Sequence, residues 1–189
     1  SEQLITLKKA LVEIHQPKSM DTLNLSIKRL KFNEHFFMQL LMAIKKSNHK
    51  KNKTKQFTSK DSYVSKIYKL LPFNLTNSQI RVLKEIRADL ESSNSMNRLI
   101  QGDVGSGKTI VAILASAIAI DNAAQVAIMA PTEILAEQHF NSFKSYCDKI
   151  DLSCELLISD IKKKEKEKII SDLKSGDINI IVGTHALIQ

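Results

Sequence analysis

Eight consecutive residues, Gly102, Asp103, Val104, Gly105, Ser106, Gly107, Lys108 and Thr109, follow the pattern G-x-x-x-x-G-K-[ST] in full. Each residue type has a chemical reason to be there. Glycines let a backbone turn tightly and aim its N–H groups at phosphate oxygens. An ammonium group at Lys108 can reach the β- and γ-phosphates of a nucleoside triphosphate, and the Thr109 hydroxyl can ligate Mg²⁺. With glycine at about 7% of residues in average proteins, a random chain rarely meets the whole pattern. The chemistry expected here is phosphoryl-group binding and transfer.

The neighbouring sequence narrows the nucleotide. No N-K-x-D stretch, the guanine-reading pattern of GTPases, occurs in the 189 residues. Upstream lies LPFNLTNSQIRV, which places Gln79 about 23 residues before the glycine loop. A glutamine amide can donate to and accept from an adenine edge at once. On spacing alone, Gln79 reads equally well as a surface helix residue.

These groups need elements to hold them. After Pro72, short apolar runs alternate with helical patterns. Arg98–Gln101 is a strand candidate that leads into the glycine loop, and Ile110–Ile120 is apolar nearly all round, as a helix packed on a sheet is. Val126–Ala130, Cys154–Ile158 and Ile178–Val182 are further strand candidates, separated by helical patterns over Thr132–Tyr146 and Lys162–Leu173. Strands separated by helices of this length predict an α/β fold with βαβ crossovers and a mainly parallel sheet. In such sheets ligands bind at the carboxyl ends of the strands.

The first part of the chain has a different texture. Leu4–Ile14 and about Leu23–Lys46 read as helices, the second with apolar residues at Leu23, Ile27, Leu30, Phe37, Leu41 and Ile44 and a stripe widened by Leu25, Phe32, Phe36 and Leu40. Too few residues precede Pro72 to bury that face, so it is expected to dock on something outside this chain. Seven lysines and no acidic residue lie between Lys45 and Lys60. This stretch lacks apolar periodicity and reads as a solvated linker or, less simply, as a nucleic-acid contact. The domain expectation is a helical segment over 1–49, a lysine-rich linker over 50–70 and a motor domain over 71–189.

Composition sets outer limits. A hydrophobic fraction of 43% can build a core. The net charge of +8 favours a polyanionic partner. Two cysteines, Cys147 and Cys154, stand without a CxxC or histidine pattern, which argues for reduced structural thiols and against a metal site. No apolar run is long enough to span a bilayer, and SEQLITLKKA lacks the order of a signal peptide. A cytoplasmic protein is expected.

Four segments, LPFNLTNSQ, MNRLIQGDVGSGKT, MAPTEILAEQH and VGTHALIQ, occur in an order and at spacings that together resemble the first motor domain of the RecG family of bacterial ATP-dependent DNA helicases, within superfamily 2. The resemblance is firm over Leu71–Gln189 and looser over IHQP and RLKFNEHF. It implies a P-loop NTPase fold of the RecA-like kind preceded by a helical segment, with ATP and Mg²⁺ as cofactors. It assigns Gln79 to adenine recognition and Gly102–Thr109 to the triphosphate and magnesium. It places Pro131, Thr132 and Glu133, and Gly183, Thr184 and His185, on the DNA side. Read without the family, Thr132 and Glu133 simply begin a helix, and His185 is an ordinary loop histidine. Two departures are visible: DNAAQV and the region of Ser159 lack glycines usual in the family.

The resemblance further implies a monomeric, nucleoid-associated translocase acting on branched duplex DNA such as forks and four-way junctions, in recombination and repair. The chain stops before an acidic D-E-x-H-type strand end and a second motor domain, so it reads as a truncated piece expected to be inactive alone. The transcription-repair coupling factor motor is the nearest alternative, but it favours other residues where Ser106, Ile110 and Ala186 stand. A non-hydrolysing nucleotide- or DNA-binding fragment is the other.

Overall fold

A computed structural model describes residues 4–51, 54–58 and 60–188. The chain divides into two compact units, Ser1–Lys53 and Thr54–Gln189. In the first, α1 (Leu7–His15) packs on the long α2 (Met20–Lys51). Thr6 caps α1 by accepting from the Lys9 amide, and Ser19 and Thr22 bond reciprocally at the start of α2. Ala10 and Ser26 are fully buried, and side chains this small let two helices approach closely. The apolar stripe of α2 divides along its length. Leu23, Ile27 and Leu30 are half-buried, whereas Phe32, Phe36, Phe37, Leu41 and Ile44 are exposed.

The second unit is the α/β part. It contains α3 (Ser62–Leu70), α4 (Asn77–Glu91), α5 (Lys108–Asp121), β1 (Val126–Met129), α6 (Glu133–Cys147), β2 (Cys154–Leu157), α7 (Lys163–Ser175), β3 (Ile180–Gly183) and a 3₁₀ turn, His185–Leu187. The strands form a parallel sheet in the order β1-β3-β2. The central strand explains itself physically. A parallel strand covered on both faces reads as a continuous apolar run, and Ile180, Ile181 and Val182 are all buried. Their alternation divides the core. Ile180 and Val182 join Leu114, Ala117 and Phe143 on the α5/α6 side, while Ile181 joins Leu157, Ile169 and Ile178 on the α7 side. Among the described residues no helix is long and apolar enough to cross a membrane.

Two expectations need correction. Arg98–Gln101 is not a strand. No described strand lies beside it to accept its backbone hydrogen bonds. Its position is set instead by Arg98, whose Nη1 lies 2.6 Å from Glu85 and Nη2 2.7 Å from Asp89, both on α4. Leu99 is left 87% exposed.

The lysine-rich stretch also differs from a solvated linker ending at residue 70. Helix α2 runs on to Lys51, and the second unit begins at Thr54. Thr54 N–H donates to Ser93 O at 3.0 Å and Phe57 N–H to Leu90 O at 3.1 Å. Buried Asn122, just past α5, accepts from Thr58 N–H at 2.7 Å and Thr58 Oγ1 at 2.9 Å, and donates through Nδ2 to Thr58 O at 3.2 Å. Asp121 accepts from Tyr63 N–H at 3.1 Å, giving α3 an N-terminal partner that Asp61 does not supply. Ile67 of α3 is then buried against the α5 side of the core. Partners far along the chain override the polar composition of the strap.

Candidate functional site

The glycine loop joins the segment held by Arg98 to the N-terminus of α5. A tight connection from Asn122 to Val126 sends β1 back antiparallel to α5, so the start of α5 lies toward the carboxyl ends of the strands. Gly105 and Gly107 have φ of +79° and +77°, conformations that side chains rarely adopt. Gly107 is constrained twice. A Cβ there would stand 2.4 Å from Gln79 Nε2. It also serves as N-cap of α5, and having no side chain it leaves the first-turn N–H groups of that helix without a capping acceptor of its own.

Lys108 closes over its own loop. Its Nζ donates to Gly102 O at 2.8 Å and Asp103 O at 2.6 Å. Ser106 N–H bonds Asp103 O at 3.2 Å, tightening the turn. Thr109 is half-buried one residue on, and Val104 at the loop's tip is exposed.

Gln79 is brought against this loop from α4. Thr76 caps α4 by accepting from Gln79 N–H at 3.2 Å, while Gln79 Oε1 accepts from Thr76 N–H at 2.8 Å, a reciprocal capping box. The Gln79 Nε2 donates to Ser106 O at 3.0 Å. The amide therefore ties the start of α4 to the loop and keeps one further N–H and one further lone pair to offer. Beside it opens a cleft of about 420 Å³ lined by Gln79, Gly102, Asp103, Ser106, Lys108 and Val111, among others. Gln79 and the glycine loop, widely separated in sequence, share one cavity.

The other two sequence segments meet at the ends of the strands. Ala130 N–H donates to Gly183 O at 2.8 Å, joining the end of β1 to that of β3. Pro131 follows, and Thr132 caps α6 by accepting from Leu135 N–H at 3.3 Å. Glu133 Oε1 accepts from Ser159 N–H at 3.0 Å, so its carboxylate props the loop after β2. Gly183 is set by close approach, since a Cβ there would meet Leu157 O at 2.2 Å. Thr184 is buried and His185 exposed. Pro131–Glu133 and Gly183–His185 thus lie together on one edge, separate from the cleft's lining.

Some groups that position the site carry little signal in the sequence. Asn122 and Arg98 are single polar residues whose partners only the fold supplies. Cys147 and Cys154 are free and buried side by side in the core. The hydrogen bond with Cys147, together with burial, holds the Cys154 thiol far above the ordinary thiol range.

Residues 76–189 match the DEAD/DEAH box helicase family. The chain belongs to that family. Within it, the chain is similar to the ATP-dependent DNA helicase RecG of Bacillus subtilis (strain 168), with 45% identity over 181 residues that make up 95% of this chain and 26% of that protein. Its similarity to RecG of Synechocystis sp. is 42% over 188 residues, 99% of this chain and 23% of the other. A solved structure of RecG bound to a three-way DNA junction superposes with a TM-score of 0.89 at 40% identity, covering 100% of this chain and 26% of that one. The chain spans about a quarter of the length of these relatives. A P-loop NTPase fold is what membership of this helicase family entails, and the parallel sheet with flanking helices accords with it.

Proposed function

We propose that the protein containing this chain is an ATP-driven DNA helicase or translocase that works on branched duplex DNA, in recombination and repair, and that this chain supplies its nucleotide-binding cleft. The observation that carries the reading is the convergence of Gln79, Gly102, Ser106 and Lys108 on one cavity, with Gln79 bonded to the glycine loop. The chemistry of the cleft suits a nucleoside triphosphate. Backbone N–H groups, the uncapped α5 terminus and one ammonium suit a polyphosphate. The spare donor and acceptor of the Gln79 amide suit an adenine edge.

In this reading Lys108 exchanges its two loop carbonyls for phosphate oxygens, and Gly102–Gly107 wrap the triphosphate. Thr109 would offer its hydroxyl to Mg²⁺. Among the described residues no three His, Cys, Asp or Glu side chains cluster to hold a metal ion, and the nucleotide's own phosphate oxygens are good Mg²⁺ ligands. ATP hydrolysis would supply the driving free energy and Mg²⁺ would neutralise charge on the phosphates; positioning and further charge stabilisation are what the protein adds. Pro131–Glu133 and Gly183–His185 face the DNA backbone, with Thr132 and Glu133 acting chiefly by shaping the loops that do so. Similarity to a protein solved on a three-way DNA junction supports branched DNA as the substrate. The active species is taken to be a monomer in the bacterial cytoplasm, at the nucleoid.

The test is ATP hydrolysis by the intact protein, with and without forked DNA. Lys108→Ala is expected to reduce turnover by at least about a hundredfold, in the range lost with a single charge-stabilising donor, while leaving the circular dichroism spectrum unchanged. Hydrolysis at the original rate in that variant refutes the assignment.

A further inference from the structure

The first turns of α7 carry lysines where helix energetics disfavour them. Lys162 is the N-cap and makes no side-chain capping bond, and Lys163 and Lys164 follow it. Cations at a helix N-terminus oppose the macrodipole, and Lys164 and Lys168, four apart on one face, repel each other. These side chains are exposed, and none of them forms an ion pair among the described residues. Lys162, Lys164 and Lys168 surround a shallow open basin of about 480 Å³, with Glu165 as the lone acidic group in its lining.

Lysines at helix C-termini are placed as stability prefers. Lys174 lies in the last turn of α7, and Lys144 in the last turn of α6 beside Asp148. A local rule broken at one end of a helix and kept at the other is the mark of a surface with another task.

The position of the basin gives the task. Helix α7 follows the carboxyl end of β2 after a short loop, and the sheet is parallel, so its first turn lies toward the same edge as Pro131–Glu133 after β1 and Gly183–His185 after β3. The link is direct, because Glu133 holds the Ser159 amide in the loop between β2 and α7.

We propose that Lys162, Lys164 and Lys168 form a further contact for the nucleic-acid phosphate backbone, extending the edge formed by the ends of β1 and β3 across β2. This rests on the functional reading above and adds residues to it. The contact is sequence-independent: three mobile ammonium groups neutralise phosphates and release counterions, with no base edge read. Phosphates seated there relieve the repulsion within the basin.

The experiment measures binding of a fluorescent forked DNA duplex to the intact protein across 50–200 mM KCl. Replacing all three lysines, as K162Q/K164Q/K168Q, is expected to reduce the slope of log affinity against log salt by about 2 to 3, near 0.9 per lost phosphate contact, and to weaken binding at least about tenfold at low salt. K162R/K164R/K168R keeps the charges and is expected to retain both slope and affinity. Lys174→Gln, at the other end of the same helix, is expected to leave both unchanged. If the triple variant unfolds, each single glutamine variant is expected to lower the slope by about 0.9. Steep salt-dependent binding by the unsubstituted protein, with slope and affinity retained in the glutamine variants, overturns the lysine basin alone. Absence of DNA binding by the unsubstituted protein overturns both this proposal and the functional reading.

Discussion

Alanine at Gly107 tests the architecture of the cleft beside the glycine loop more sharply than removal of the lysine does. Two separate costs meet at that residue. Its φ of +77° is left-handed, which costs an alanine about 1–2 kcal/mol, offset by about 0.4–1 kcal/mol from the stiffer unfolded chain. The new Cβ also lands 2.4 Å from Gln79 Nε2 and must displace it, breaking the 3.0 Å bond to Ser106 O, worth about 0.5–1.5 kcal/mol. Gly107→Ala should therefore destabilise by about 2 kcal/mol. Gly105 provides the control, since its φ of +79° is equivalent but nothing lies within 4 Å of its Cβ position. Gly105→Ala should cost about 1 kcal/mol or less. The assay is urea denaturation followed by circular dichroism, repeated in a Gln79→Ala background. There the collision is gone, and Gly107→Ala should cost no more than Gly105→Ala. Equal costs for Gly107→Ala with and without Gln79, or a Gly105→Ala as damaging as Gly107→Ala, would refute the claim that Gln79 packs on the loop.

Other substitutions probe the supports of the site. Asn122→Ala leaves the Thr58 N–H without its acceptor and should cost about 2–3 kcal/mol in the same denaturation assay, with faster proteolytic cutting around residues 54–60. Gly183→Ala places a Cβ 2.2 Å from a backbone oxygen that cannot rotate away, so it should be the most damaging glycine substitution, at about 3 kcal/mol or more by thermal melting. Cys147 and Cys154 are buried, and Cys154 is held protonated well above the ordinary thiol range. A thiol-titrating disulfide reagent at pH 8 should therefore modify neither in the native protein within minutes and both in denaturant.

The glycine loop was legible without a structure because its chemistry is contiguous. Eight adjacent residues carry the turn, the cation and the hydroxyl, and only local geometry is needed to recognise them. The three strands of the sheet, β1, β2 and β3, were legible for a related reason: short apolar runs set between helical patterns leave few alternatives to parallel crossovers. Thr132 could be read as a helix cap from its position alone, and it is one.

What the sequence could not decide are the features whose partners lie far along the chain. Arg98–Gln101 has the apolar look of a strand, yet strand formation requires a neighbour, and Arg98's pairing with α4 governs the segment instead. The lysine-rich strap reads as linker until Asn122, 64 residues away from Thr58, supplies the hydrogen bonds that its composition cannot reveal. The seat of Gln79 on the loop and the gathering of Lys162, Lys164 and Lys168 beside the strand ends belong to the same class. Residue types fixed which chemistry was possible, through bonding capacity and backbone freedom. Tertiary packing alone decided which groups stand within bonding distance, because those distances depend on the layering of helices on the sheet and not on spacing along the chain.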